Sequence, residues 1–371
     1  MSKLAAEHNA VNLGQGFPDF DGPEWIMDEA LKAMHSGKNQ YAPMPGIFTL
    51  RRAVAGYHKQ FYDLDWDPDA HVTVTAGATE ALFSTMLALI DPGDEVILFE
   101  PYYDSYQANV LLAGGVPTYV TLHKPDFRFD PEELERSIAP KTTMLVLNNP
   151  QNPTGKMFSR DELETIAAVA IRHDLIVLSD EVYEFLTFDG NQHIPIATLP
   201  GMRERTITIS STGKTFGMTG WKIGYAIAPA PLTDAVRKVH QFATFAVNTP
   251  GQHAMALALS RLGEYLPEFR ALYAAKRNLL YDGLRKTIFI PHQPQGSYFM
   301  MADIPSSLGL TDVECAIELV SKQGVASIPP SVFYSCSNEG STMLRFCFAK
   351  KAETLTSGIA KLRAQTTTND K

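Results

Sequence analysis

Seven short runs of apolar and β-branched residues, at 72–75, 95–99, 117–121, 143–148, 175–179, 206–210 and 223–228, alternate with longer amphipathic segments. No other feature constrains the fold as much. Such runs suit strands buried on both faces, and their alternation with helical patterns predicts a mainly parallel sheet covered by helices on either side. The segment 161–173 has the clearest helical period, because Leu163, Ile166, Ala167 and Ala170 fall on one face and acidic residues crowd its start.

From about 264 to 287 the pattern lengthens into a charged helix, after which a second strand-and-helix series opens at Gly296-Ser297-Tyr298-Phe299-Met300-Met301. The shift predicts a domain boundary bridged by a helix, with strands at 326–329 and 343–348 in the smaller, C-terminal part. The tail from Ala364 is expected to fray. The chain shows no internal repeat and no low-complexity tract.

A chain of 371 residues with 45% hydrophobic content can bury a substantial core, in one large domain or two ordinary ones. Its formal net charge of −9 argues against a nucleic-acid binder, which needs a basic footprint to replace phosphate counterions. Cys315, Cys336 and Cys347 are odd in number and lack metal-ligand spacing, so neither a disulfide framework nor a metal site is expected, and a reducing cytoplasm fits. The N-terminus has no secretory pattern, and no apolar run approaches the roughly 20 residues that cross a bilayer, so no membrane partner is expected.

The most informative segment is Ser210-Ser211-Thr212-Gly213-Lys214-Thr215-Phe216, which follows a predicted strand. Ligands collect at the carboxyl ends of strands in open α/β sheets. A lysine there can bind phosphate, form an imine or simply be solvated. A phosphate-binding P-loop would need glycine where Thr208 stands, so no nucleotide cradle is supported. Upstream, Asp180 ends another apolar run, with Tyr183 three residues on. A buried carboxylate there needs a cation or donors; it could also cap a helix. Asn148-Asn149-Pro150-Gln151-Asn152-Pro153-Thr154-Gly155 is a turn whose prolines and glycine fix the backbone and whose asparagines offer donors. Thr75-Ala76-Gly77-Ala78-Thr79-Glu80-Ala81 joins a strand to a helix, where free N–H groups could hold a phosphate together with Ser211 and Lys222.

Together these pieces resemble the class I/II aminotransferases, pyridoxal-phosphate (PLP) enzymes of fold type I. The match extends over nearly the whole chain and in order: Asn12-Leu13-Gly14-Gln15-Gly16-Phe17-Pro18-Asp19-Phe20, Gln40-Tyr41, Gly77-Ala78-Thr79, Glu100-Pro101-Tyr102-Tyr103, Asn152-Pro153-Thr154-Gly155, Asp180-Glu181-Val182-Tyr183, Ser211-Thr212-Gly213-Lys214-Thr215, Gly220-Trp221-Lys222-Ile223-Gly224 and Leu344-Arg345-Phe346-Cys347-Phe348. The sequence is most similar to the branch of kynurenine aminotransferases (glutamine transaminase K) and bacterial methionine aminotransferases, through Gly14 to Phe20 and Arg345 to Lys351.

The resemblance implies a large PLP-binding domain at 26–275, with a mainly parallel seven-stranded sheet sandwiched by helices. It also implies a smaller α/β domain at 276–371, which the segment 1–25 joins. It makes Lys214 the imine-forming lysine and proton shuttle, with Asp180 pairing the pyridine nitrogen. Asn152 and Tyr183 would bond the phenolic oxygen, and Tyr103 would stack on the ring. Gly77, Ala78, Thr79, Ser211 and Lys222 would hold the phosphate. Arg345 matches the arginine that grips the substrate α-carboxylate, a task suited to its planar fork, and Gly16 would let that group approach the backbone.

Tyr41 and Phe245 match positions that reach the neighbouring subunit's site, implying a homodimer with composite sites. In this family a further arm precedes the segment matching Met1-Ser2-Lys3-Leu4 and contributes to dimer and pocket. Phe17, Tyr41, Tyr102 and Phe245 point to an apolar, aromatic substrate pocket. The expected reaction is transamination between an amino acid of methionine, phenylalanine, kynurenine or glutamine type and a 2-oxo acid. The alternatives are a PLP-dependent C–S β-lyase, which the same fold can support, and a non-catalytic PLP-binding regulator, for whose DNA-binding domain the chain has no spare segment.

Overall fold

A computed structural model describes residues 1–363. In chain order the strands are β1 (Val11–Asn12), β2 (Val72–Thr75), β3 (Glu95–Glu100), β4 (Val116–Thr121), β5 (Thr142–Asn148), β6 (Ile176–Asp180), β7 (Thr206–Ser211), β8 (Gly224–Ile227), β9 (Ile290–Pro291), β10 (Phe299–Asp303), β11 (Val325–Ala326) and β12 (Met343–Cys347). The seven apolar runs form one sheet in the order β2-β8-β7-β6-β5-β3-β4. Only β8 is antiparallel to its neighbours; the other pairings are parallel.

Alternation along these strands separates two cores. Val96, Leu98, Met144 and Val146 join one buried cluster, while Ile97, Phe99, Leu145 and Leu147 join another on the opposite face. Helices cover both. The helix read at 161–173 spans Arg160–Arg172, one residue earlier, because Ser159 and Glu162 form a reciprocal capping box that fixes its start.

The charged helix read at 264–287 runs over Leu262–Leu284. Beyond it β10 lies antiparallel between β9 and β12, with Met301 opposite Arg345. The strand expected at 326–329 is shorter than read. Only Val325–Ala326 pairs, in parallel with Val11–Asn12, and Pro330–Phe333 turns into a 3-10 helix. Pro329 and Pro330 have no N–H to continue a ladder, and Ile328 keeps a single bridge to Arg345. The tail from Ala364 lies outside the described residues.

Since β2, β3, β5, β6 and β7 all run the same way, their carboxyl ends share one edge of the sheet. Thr75, Asn148, Asp180 and Ser211 end there, and the amino end of β8 joins them. Gly224 opens β8 where the backbone of Gly77 and Ala78 presses close. A Cβ on Gly224 would lie 2.6 Å from Gly77 C and Ala78 N, so only glycine admits this approach.

Candidate active site

A cavity of about 360 Å³ opens at that edge. Every residue singled out from the sequence for the site lines it, except Tyr41, Tyr102 and Phe245. Strand ends supply Asp180 and Ser211. The turns that follow supply Asn152, Tyr183 and Lys214, the helix Gly77–Leu89 presents its first turn, and β12 contributes Arg345.

Asp180 is 3% exposed and accepts from the Tyr106 hydroxyl at 2.6 Å and from the Val182 N–H at 3.3 Å. Burial outweighs these bonds and pushes its carboxyl up to about 6. An asparagine ladder joins the neighbouring strand ends. Asn148 donates to the Asp180 carbonyl at 2.9 Å, and its side-chain oxygen accepts from the Asn152 N–H at 2.7 Å.

Lys214 projects from a short turn after β7, its Nζ 3.0 Å from the Tyr298 hydroxyl and 5.9 Å from the centre of the Tyr183 ring. Tyr298 donates its one proton to the Gly16 carbonyl at 2.5 Å, so its oxygen accepts from Lys214. Lys222 lies in the left-handed region at φ 53° and donates to the Thr79 hydroxyl at 3.1 Å. Burial and the nearby Lys214 ammonium pull Lys222 below the ordinary lysine value. Gly77, at φ 73°, leaves that lysine room: a Cβ would stand 3.3 Å from its Nζ.

Arg345 is 8% exposed, and no carboxylate partners it among the described residues. Its Nη1 donates to Asn152 Oδ1 at 3.0 Å and its Nη2 to the Gly14 carbonyl at 3.1 Å, while Nε is buried without a partner. Phe299 carries the guanidinium 4.2 Å above its ring. A buried cation with this much unmet bonding capacity is suited to an anionic ligand.

Tyr41 and Phe245 are not brought to the cavity. They pack on each other at 5.6 Å, with Tyr41 83% exposed. Tyr102 corrects the sequence reading. It is 2% exposed, does not line the cavity, and bonds Gln107 and Ser335 instead. The backbone bends at Pro101, just after β3, and Tyr103 lines the cavity while Tyr102 does not.

Sequence reasoning missed Tyr106, Val182, Tyr298 and Phe299, which also line the cavity or reach its lysine. Tyr106 falls three residues after Tyr103, and Tyr298-Phe299 stand in the Gly296 motif; both positions were available as signals.

The donor set fits pyridoxal phosphate. The first N–H groups of Gly77–Leu89, Ser211 and Lys222 could hold its phosphate. Tyr103 and Val182 could enclose a flat ring. Asp180, buried and bonded to no cation among the described residues, has the charge that a protonated pyridine nitrogen would satisfy. Among the described residues no group of three or more His, Cys, Asp or Glu is arranged to hold a metal ion, and no helix is long and apolar enough to cross a membrane.

Comparison with known proteins gives the same assignment. Residues 8–362 match the family model of aminotransferase class I and II. The chain is 41% identical to the methionine aminotransferase of Escherichia coli (strain K12), covering 98% of this chain and 94% of that protein. It is 39% identical to the kynurenine–oxoglutarate transaminase of Dictyostelium discoideum, over 95% and 90% of the two. The solved structure of N-succinyldiaminopimelate aminotransferase from Mycobacterium tuberculosis superposes with a TM-score of 0.95 at 43% identity, covering 98% of this chain and 95% of that one. With a match over nearly its whole length and a lysine, aspartate and arginine facing one cavity, this chain belongs to the class I and II aminotransferases and is a pyridoxal-phosphate-dependent transaminase.

Proposed function

We propose that this enzyme moves the amino group of an apolar or aromatic amino acid, of methionine, phenylalanine, kynurenine or glutamine type, to a 2-oxo acid. One observation carries the reading: Lys214, Asp180 and Arg345 face a single cavity whose remaining walls include Phe17, Leu82 and Phe299. The names of the relatives support the donor class.

In this reading Arg345 binds the substrate α-carboxylate through its planar fork, and Gly16 lets that carboxylate approach the backbone. Asn152, which already accepts from Arg345, orients the guanidinium and, with Tyr183, donates to the phenolic oxygen of the cofactor. Asp180 would hold a proton on the pyridine nitrogen, and Tyr103 would cover the ring face. Gly77, Ala78, Thr79, Ser211 and Lys222 hold the phosphate. The bound cofactor supplies an electron-withdrawing ring that stabilises negative charge at the substrate Cα. With the cofactor bound, Lys214 Nζ would take up and return the proton at the substrate Cα, with the Tyr298 oxygen steering the amine.

Tyr41 and Phe245, exposed and packed on each other, serve the site of a second copy, which makes the enzyme a homodimer with composite sites. The division into 26–275 and 276–371, with 1–25 attached to the latter, is supported by the pairing of β1 with β11 and by Leu13, whose carbonyl accepts from Cys347. A cytoplasmic location accords with three cysteines that carry no disulfide.

A donor–acceptor panel tests this function, with methionine, phenylalanine, kynurenine, glutamine and N-succinyldiaminopimelate each offered with a 2-oxo acid. Turnover of the apolar and aromatic donors is expected; exclusive turnover of N-succinyldiaminopimelate would overturn the donor class. Pyruvate and thiol from a cysteine conjugate, without new amino acid, would instead identify the β-lyase. The visible-edge absorbance of bound cofactor is expected to vanish in Lys214→Ala, and an unchanged spectrum would refute the lysine assignment.

A further inference from the structure

The helix Gly77–Leu89 begins at the cavity, but its Glu80 turns away into a buried polar cluster. Glu80 Oε2 accepts from the Ala76 N–H at 2.9 Å, and Oε1 accepts from the Ser84 hydroxyl at 2.8 Å. The same Oε1 lies 2.9 Å from Nδ1 of His240, on the helix Ala230–Ala243. On the other side of that ring, Nε2 lies 2.9 Å from the carbonyl oxygen of Met44. His240 is wholly buried, at 0% exposure.

A peptide carbonyl can only accept, so Nε2 carries a proton. One more proton must lie between Nδ1 and Glu80. It belongs on the ring, because both Glu80 oxygens already act as acceptors, Oε2 from the Ala76 N–H and Oε1 from the Ser84 hydroxyl. The charges facing the ring are Glu80 from the neighbouring helix and Arg237 from its own. Arg237 opposes the second proton, but its guanidinium is engaged by the Thr73 hydroxyl and the carbonyls of Asp69 and Val72. Burial works against the charged ring as well; the bonds to Glu80 and Met44 outweigh both and hold His240 above the ordinary histidine value.

We propose that His240 is a buried imidazolium whose pairing with Glu80 is a positioning device for the cofactor phosphate. The pair ties the start of Gly77–Leu89 to the segment that follows Tyr41, and it cancels a carboxylate charge that would share a helix N-terminus with the phosphate. The His240 carbonyl also accepts from the Phe245 N–H at 2.9 Å, so one residue links the phosphate turn with exposed Phe245. This inference rests on the assignment of Gly77 to Thr79 as the phosphate turn.

The experiment has two arms. Titration of the cofactor-free enzyme with pyridoxal phosphate should show affinity falling about ten-fold in His240→Gln, the size expected when a charge near a phosphate loses its counter-ion in a partly shielded site. Adding Glu80→Gln to that variant should return affinity to within about three-fold of the parent, since the uncompensated charge is then gone. A packing role alone would leave the double variant as weak as the single one, and that result would overturn the proposal. In the second arm, ¹⁵N resonances of His240 in the unaltered, cofactor-free protein should show both ring nitrogens protonated at pH 7. An unprotonated nitrogen would refute the imidazolium whatever the variants do. If the phosphate-turn assignment itself were wrong, Gly77→Ala would leave pyridoxal-phosphate affinity unchanged while the ¹⁵N result stood.

Discussion

Replacing Asp180 with asparagine should make the cofactor-free enzyme more stable and the working enzyme worse. In the folded chain this carboxyl is raised from an ordinary 3.8 to about 6, chiefly by burial. A raised folded value means that the folded state holds the proton more tightly than the unfolded chain does. The penalty is therefore absent below 3.8, grows as pH rises towards 6, and is complete above it. Its full size is about 3 kcal/mol, and roughly half of it is already present at pH 5.

Asparagine keeps an oxygen to accept from Tyr106 and does not titrate. The stability gained by Asp180→Asn should thus be about 1.4 kcal/mol larger at pH 8 than at pH 5. Urea unfolding of the cofactor-free parent and variant at the two pH values measures this difference. With saturating pyridoxal phosphate the order should reverse, because only the aspartate gains a cation, and kcat of the variant should fall by about 10²-fold or more. A pH-independent stability difference, or a cofactor-loaded variant that outlasts the parent, would refute the account of Asp180 as a carboxylate awaiting its cation.

Arg345→Lys replaces a planar fork with a point charge, and kcat/KM for amino-acid donors should drop about 10- to 100-fold while cofactor affinity stays level. Steady-state kinetics beside a cofactor titration decides this, and a change below about three-fold would remove Arg345 from carboxylate binding. Tyr298→Phe takes away the oxygen that accepts from Lys214. Exchange of the substrate Cα proton with solvent should slow about ten-fold with little change in KM, and unaltered exchange would count against the steering role. Gly77→Ala puts a side chain at φ 73° and 3.3 Å from Lys222 Nζ, so it should cost about 1–2 kcal/mol and weaken pyridoxal-phosphate binding. Ser159→Ala breaks the capping box far from the site, lowering stability by about 1 kcal/mol with kcat intact.

Much of this was legible in the chain itself, because its strongest signals are local. Short β-branched runs specify strands wherever they are buried, so the seven strands of the main sheet were found within a residue or two of their ends. Lys214, Asp180, Asn152 and the Gly77 turn each follow such a run directly, so knowing the strands was enough to place them along one edge. The 326–329 run failed for an equally local reason, since two consecutive prolines withhold the N–H groups that a ladder needs.

Tertiary structure alone decided matters that depend on which side of a strand or helix faces what. Tyr102 and Tyr103 are indistinguishable by type and adjacent in sequence; the bend of the backbone after β3 buries one and turns the other to the cavity. Tyr298 lies 84 residues from Lys214, and His240 lies 160 from Glu80. No periodicity joins partners so distant. The sequence determined which elements form and which of their ends carry chemistry, because hydrophobic period and turn chemistry act over a few residues. Packing decided which buried hydroxyl faces the lysine, which aspartate is buried at the cavity wall, and which histidine meets a glutamate, because desolvation and hydrogen-bond pairing exist only once distant segments meet.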